Sequence, residues 1–560
     1  MPRSLVALLA VLVVLLAPAT AGANEPPPGA TWEETYLESA DGTRLHADVL
    51  RPAHLPEDAR TPVVVTVSPY TNHSGDLAPN PTNSGPSHRF YDFLEHTQAI
   101  QRGYTYVIVD LRGTGGSAGC QDWGGPGEQA DVTAAVEWAA RQPWSTGKVA
   151  LLGKSYDAWT GLMGIANQPE GLAAVVAMEP VYSGYRYLYS GGVRYSNSVL
   201  TPLLFDAISS YPGTVSDGPE YTLTGASGNV ERPGCPALVF AEQQEDHEDA
   251  PFWQQRDLIK KIEALRPRTP LFMTQGFLEG NTKPDGAFDV FAAMRGPKRA
   301  WFGQFAHVRG WEDTGRAPEP FAQELVRFLD RHMTDRPVEK SDPPVVVQQF
   351  DGRWRTEEAW PPAGTRLYST ALRAGAYADQ PGNNGASGPG DGLWTVSQPL
   401  GAPVQLTGEP VLTASVASSV PRANLVANVY DIDEEGHAVM ISRNATLLRE
   451  AGEQDVRFKL YGQDWVVERG HRIGVLLSGA NDDWWVHANT LSDVEVAEAS
   501  IALPFLRTPR RTFIEGGKAL PSGTLEGHQE SGFAVDAATV EEAETRFDVP
   551  GEPGARPGKP

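Results

Sequence analysis

The run VALLGKSYDAWTG (149–161) sets Ser155 between an apolar, β-like stretch and a helix-compatible one. A strand–tight turn–helix passage lifts a serine hydroxyl off the end of a sheet. It also leaves the next backbone N–H at a helix N-terminus, where an oxyanion can be bound. That is the chemistry of acyl transfer, in which a hydroxyl attacks an amide or ester carbonyl. The familiar elbow reads G-x-S-x-G, and Asp157 stands in place of its second glycine. Taken alone, the run fits an ordinary strand-to-helix turn equally well.

A serine nucleophile needs a base, and the base needs an orienting carboxylate. On a parallel sheet these follow in the order serine, acid, histidine, each after a later strand. His307, in WFGQFAHVRG, alone of twelve histidines follows the last predicted strand of the sheet. His247 lies in an acidic stretch, His332 ends a helical run, and His437, His471 and His487 lie in a β-rich region. For the acid, PLFMTQGFLEGNTKPDG offers Glu279 and then Asp285, and Glu279 is nearer the strand end. Two donors are needed for the oxyanion. The Tyr156 amide is one candidate. The phenol of Tyr70, in SPYTNHSG after the 61–70 strand, is the other, its alternative being a packed aromatic.

DLRGTGGSAGC (110–120) is a Gly-rich loop without the Lys-Ser/Thr of a P-loop or the G-x-G-x-x-G spacing. It reads as a tight loop near the site, with Asp110 and Arg112 expected to pair. The acidic stretch EQQEDHED (242–249) contains Glu245, Asp246, Glu248 and Asp249, which could hold a substrate ammonium or form a solvated loop. There is no HExxH or CxxC spacing, so no catalytic metal and no cofactor is expected. Cys120 and Cys235 are the only cysteines, a candidate disulfide if the chain is exported.

The elements that must position these residues fall into two textures. From about 30 to 340, β runs alternate with helical ones, which predicts an α/β sheet. A hairpin is expected about Asp41-Gly42, strands over 61–70, 104–113, 175–180, 270–277 and 299–305, and helices over 128–142 and 321–333. Between 181 and 265 the pattern breaks into a tyrosine-rich segment, read as a cap over the site. From 341 to 515, alternating apolar and polar residues with Gly, Pro and Asp turns predict an antiparallel β-sandwich. Residues 516–560 are rich in Gly, Pro and Glu and read as a partly disordered terminal extension.

Residues 1–23 carry Arg3, an apolar run from Leu5 to Ala17 and small residues at Ala19–Ala23, the pattern of a secretory signal. The expected location is therefore extracellular, with no membrane span after signal removal. A length of 560 residues implies more than one domain. A net charge of −24 argues against nucleic-acid or anionic-membrane partners.

Taken together, SPY (68–70), DLRGTGGSAG (110–119), EWAARQPWSTGKVALLGKSY (137–156), GFLEGNT (276–282) and the AHVRG segment resemble the Xaa-Pro dipeptidyl-peptidase and cocaine-esterase-like family of serine hydrolases. The resemblance implies an α/β-hydrolase domain with a cap insertion, followed by an all-β, galactose-binding-like jelly-roll. It implies Ser155 as nucleophile, His307 as base, Glu279 as acid where family members commonly carry Asp, and an oxyanion hole from Tyr70 and Tyr156. The substrate it implies is a small peptide or ester. An Xaa-Pro dipeptidyl-peptidase is the leading expectation, a carboxylesterase or acylase the rival, and a non-catalytic secreted binding protein a distant third.

Overall fold

Every residue of Thr61–Ser68 and of Thr105–Asp110 is buried, so neither segment has a face for water. Such segments are interior strands of a sheet covered on both sides. The computed structural model describes residues 25–70, 73, 85–209, 217–231, 234–382, 392–519, 532–552 and 554–558. The expected export signal, 1–23, lies outside them.

The strands are β1 (Ala30–Glu38), β2 (Arg44–Pro52), β3 (Thr61–Ser68), β4 (Thr105–Asp110), β5 (Ser145–Lys154), β6 (Leu172–Met178), β7 (Leu271–Gly276), β8 (Lys298–Gly303), β9 (Val345–Gln348) and β10 (Trp354–Glu357). They form one mixed sheet in the order β1-β2-β4-β3-β5-β6-β7-β8-β9-β10. Neighbours from β4 to β9 are parallel, and the hairpin β1–β2 and the last strand β10 are antiparallel. Alternate residues feed opposite cores. Val63, Val65 and Val67 join one with α1 (Pro126–Arg141) and α2 (Tyr156–Asn167), whereas Val64 joins the other.

The cap is the insertion between β6 and β7. It includes α3 (Pro219–Glu231) and α4 (Cys235–Glu242), and Cys235 forms a disulfide with Cys120 of the Gly-rich loop. Its short hairpin, Tyr189–Ser190 with Val193–Tyr195, pairs with Trp485–Val486 of the C-terminal domain. After the cap and β8, α5 (Pro318–Met333) packs in the second core, through Phe321, Leu325 and Phe328. Among the described residues no helix is long and apolar enough to cross a membrane.

The C-terminal domain is all-β. One sheet centres on the long strand Asp493–Leu506, flanked by Val411–Ser418 and Val404–Gly408, and the other on Ala423–Ile432 between His437–Leu448 and Arg472–Ser478. The period-2 alternation expected from sequence is visible in Val411–Ser418, whose Leu412, Ala414 and Val416 are buried while Thr413 is exposed.

Two expected boundaries differ. The first domain does not end at 340, because β9 and β10 continue its sheet to Glu357. The apolar run Val345–Val347 covers an edge of β8 that would otherwise be open. Nor is the terminal extension loose where it is described. Phe533–Ala534 and Glu544–Thr545 add strands to the second sheet, and Phe547 and Val549 are buried in the sandwich core. The Gly- and Pro-rich composition there concealed a few apolar anchors.

β10 also joins the two domains. Arg355 grips Asp464 with two hydrogen bonds, 2.9 and 2.6 Å, and Gln405 donates to the same carboxylate at 2.9 Å. All three side chains are buried. Asp464→Ala strips both terminal guanidinium nitrogens of their carboxylate, leaving only Nε paired, to Glu357 at 2.8 Å, and should cost about 3–5 kcal/mol, read as a lowered urea midpoint; the double variant Arg355→Met, Asp464→Leu should recover most of that loss, since Glu357 keeps Arg510.

Candidate active site

β5 and β6 stay paired through Lys154 and Met178, and the Ser155 amide adds one further bond to the Met178 carbonyl at 2.9 Å. The chain then turns abruptly. Ser155 sits at φ 64°, ψ −124°, a conformation costly for a residue with a side chain, and α2 begins at the next residue. The turn is tight enough that a Cβ on Gly153 would come within 2.3 Å of the Asp157 backbone. This is the first glycine of the elbow, and only glycine fits there. Position 157 does not demand glycine, because its side chain leads away from the turn. The buried Asp157 carboxylate takes Arg89 Nε at 2.8 Å and a second guanidinium nitrogen.

Arg89 then places Tyr70, the candidate oxyanion donor. Its guanidinium lies 4.9 Å from the centre of the Tyr70 ring, and Ser155 is among the groups that act on the Tyr70 phenol. Burial, together with the nearby Asp157 charge, pushes the Tyr70 phenol well above its ordinary pKa, so it stays protonated and able to donate. The Tyr156 amide is the first of α2, a position with no partner inside the helix. The Tyr156 phenol points elsewhere, donating at 2.5 Å to Glu128, which also accepts from the Trp123 and Gly124 amides.

The candidate acid and base arrive on adjacent loops. Glu279 follows β7 and His307 follows β8. The loops are locked together where Phe277 N–H meets the Gly303 carbonyl at 2.6 Å, and a Cβ on Gly276 would collide with the Phe305 carbonyl. Glu279 Oε2 lies 2.5 Å from His307 Nδ1. Its Oε1 accepts the Asn281 and Thr282 amides at 2.5 and 3.2 Å. Glu279 is fully buried, which opposes its charge, but the imidazole and these amides outweigh burial and hold its pKa below the usual range. Of the two carboxylates weighed from sequence, Glu279 meets His307; Asp285 pairs with Arg186 at 3.1 Å.

A second buried carboxyl, Glu179, directly follows β6 and accepts from Thr274 Oγ1, Gln275 Nε2 and the Gly276 amide. Burial and the Glu279 charge raise its pKa well above the carboxylate range. Sequence reasoning missed Glu179, Glu128 and Arg89. The only available signal was a charged residue directly after an apolar strand, in VVAMEP.

Two cap tyrosines brace the acid loop and a third braces the strand before it. Tyr195 donates to the Gly280 carbonyl at 2.6 Å, Tyr187 to Asn281 Oδ1 at 3.3 Å and Tyr182 to Gln275 Oε1 at 2.7 Å. Phe205 packs 4.9 Å from the Tyr156 ring and 6.0 Å from that of Tyr70, giving the serine an aromatic wall. The acidic cap residues are placed differently from one another. Asp246 is held by Arg422 at 2.5 Å and Arg449 at 3.0 Å, both from the C-terminal domain, and Glu248 stands 3.7 Å from Arg186. Glu245 and Asp249 are exposed. The expected Asp110–Arg112 pair does not form. Arg112 binds Asp131 and Asp41, and Asp110 turns to His46.

This geometry has relatives. Residues 41–309 match the family described as X-Pro dipeptidyl-peptidase (S15 family), and 337–522 match the X-Pro dipeptidyl-peptidase C-terminal non-catalytic domain. The chain belongs to this family. It is 23% identical to a Streptomyces avermitilis protein provisionally named an Xaa-Pro dipeptidyl-peptidase, over 93% of this chain and 88% of that one. It is 24% identical to the cocaine esterase of a Rhodococcus species, over 79% and 89%. An aminopeptidase structure from a marine-sediment Thaumarchaeota archaeon superposes with a TM-score of 0.67 at 16% identity, covering 88% of this chain and 99% of that one. An α-amino acid ester hydrolase structure gives 0.64 at 18%, covering 87% and 98%. The fold is that of this hydrolase group, an α/β-hydrolase domain followed by an all-β domain. The protein is a hydrolase of the X-Pro dipeptidyl-peptidase or cocaine-esterase-like kind.

Two variants test the acid assignment. Glu279→Gln should lower kcat/KM by about 10⁴-fold, as removal of an orienting triad carboxylate does, while Asp285→Asn should leave it within a few-fold; steady-state kinetics decide, and the reverse ranking overturns the assignment. Glu179→Gln should keep most activity, because it replaces a carboxyl that is already protonated. A raised carboxyl pKa contributes stability below the unfolded value, about 4.3, which is lost as pH rises toward the folded value. Denaturant midpoints across pH 5–9 should therefore show Glu179→Gln gaining on the wild type as pH increases.

Proposed function

We propose that this chain is a secreted Xaa-Pro dipeptidyl-peptidase that works through a covalent acyl-enzyme at Ser155. The observation that carries the mechanism is the buried Glu279 on Nδ1 of His307, together with the strained strand-to-helix turn that carries Ser155. A carboxylate on Nδ1 fixes the tautomer whose Nε2 can accept a proton. His307 takes the Ser155 proton as the oxygen attacks the carbonyl carbon. Tyr70 O–H and the Tyr156 N–H hold the resulting oxyanion. Collapse expels the leaving amine, which His307 protonates, and a water activated by the same imidazole then hydrolyses the ester on Ser155.

Three things support the peptidase reading. The family match spans both domains. Several relatives carry that name. The aromatic wall of Phe205, Tyr70 and Tyr156 suits a flat proline ring. Export is supported by the pattern of residues 1–23 and by the Cys120–Cys235 disulfide.

One observation favours an esterase or acylase instead. A dipeptidyl-peptidase must bind a free α-ammonium, and Asp246 and Glu248, the half-buried acids of the 242–249 stretch, already face arginines. A three-substrate comparison separates the two: an Xaa-Pro-anilide with a free N-terminus, its N-acylated form and a simple aryl ester. Cleavage confined to the free-amine anilide is expected, and preference for the ester would assign the rival. A fluorophosphonate probe should modify Ser155 in protein recovered from culture medium, and the absence of that adduct in folded protein rules out the serine mechanism.

A further inference from the structure

At the far edge of the sheet, a second cluster of titratable side chains takes no part in this chemistry. His46 lies on β2, and His73 follows β3, their rings 5.1 Å apart. Each Nδ1 is bonded to a carboxylate: His46 to Asp110 at 3.1 Å and His73 to Asp217 at 2.8 Å. A carboxylate can only accept, so each Nδ1 carries a proton, and a ring whose other proton is displaced by a metal offers it the Nε2 lone pair.

Both Nε2 atoms meet further carboxylates at one place. Asp48 Oδ1 is 3.4 Å from His73 Nε2 and 3.9 Å from His46 Nε2, and Glu34 Oε2 is 3.6 Å from His46 Nε2. The His46 side chain is 1% exposed, yet its Nε2 makes no hydrogen bond. The strand register adds a second, independent argument. Glu34 and Asp48 are direct partners across the β1–β2 pair. Like charges directly opposite each other destabilise a sheet, unless a cation lies between them.

We propose that Glu34, His46, Asp48 and His73 form a binding site for a divalent transition metal, zinc by its donor set. Once a metal displaces the Nε2 protons, two imidazoles and two carboxylates balance a doubly charged ion. Tetrahedral zinc with arms of about 2.0–2.1 Å sets its donors about 3.3–3.4 Å apart; the imidazole–carboxylate spacings of 3.4, 3.6 and 3.9 Å lie near this, Glu34, His46 and His73 already cluster within 4.8 Å, and Glu34, at the solvent edge, has room to turn in toward Asp48. The supporting shell is in place. Asp110 and Asp217 orient the imidazoles, and Asp48 accepts from Trp32 Nε1 at 2.8 Å and from the Ser87 amide at 2.9 Å.

The site's role is structural. His73 lies three residues beyond Tyr70. Tyr221 of α3 stacks on the His73 ring at 4.2 Å and reaches Asp110 with its hydroxyl at 3.4 Å. The metal would therefore tie the N-terminal hairpin to the oxyanion loop and to the cap. The four donors are scattered over positions 34 to 73 with no compact spacing, which is why no metal motif shows in the sequence.

Metal analysis of full-length protein, purified without added metal and then equilibrated with Zn²⁺, should find about one zinc per chain. Chelation should lower Tm by several degrees, restored by Zn²⁺ and not by Mg²⁺ or Ca²⁺, and Co²⁺ loading should give the visible absorption of a tetrahedral N/O site. His73→Ala should abolish stoichiometric binding. Should that variant misfold, Glu34→Gln, isosteric and at the solvent edge, should still weaken binding at least tenfold. The proposal is overturned if folded wild-type protein retains no zinc in equilibrium dialysis, leaving a metal-free ion-pair cluster, or if both variants bind zinc as the wild type does.

Discussion

A carboxylate with no access to water is the constraint around which the catalytic end of this molecule is arranged. Glu279 keeps its charge only because every lone pair facing the protein is met, by two backbone amides, a hydroxyl and an imidazole. Satisfying it fixes the 279–282 loop, and fixing that loop fixes the imidazole. The neighbouring Glu179 gives up its own charge for the same reason, since two anions cannot share one dry site. The cap tyrosines hold the loop from above.

The strain at Ser155 is maintained by a different device. Its backbone is wedged between the β5–β6 ladder and the first turn of α2, with Gly153 giving the clearance. Where a second glycine is customary, the Asp157–Arg89 pair takes over. It anchors the helix start and, by setting a guanidinium against the Tyr70 ring, also positions Tyr70. A departure from the motif thus strengthens the site.

Much of this was legible in the sequence, because it depends on local pattern. The β1–β2 hairpin, the buried strands, the serine turn and the order of acid and base all follow from periodicity and from what lies just after each strand. The parts that were not legible are pairings made only in three dimensions. Asp246 looked available for a substrate amine, but its arginines stand 176 and 203 residues away in sequence. Arg112 and Asp110, two residues apart, point to different partners because successive loop residues diverge after a strand end. The boundary at 340 followed a change of texture, yet a sheet recruits strands by their edges and not by their place in the chain.

That boundary bears on how such a protein could be inherited. The second family match begins at 337, before β9, so the segment counted with the C-terminal domain carries the last two strands of the first domain's sheet and the arginine that joins both. A gene exchange at this seam would bring in a foreign pair of strands together with the foreign sandwich. The graft would succeed only where the newcomer's Val345–Gln348 equivalent matches the host's β8. The two halves are thus tied to change together, a shared history enforced by hydrogen bonds across one strand edge.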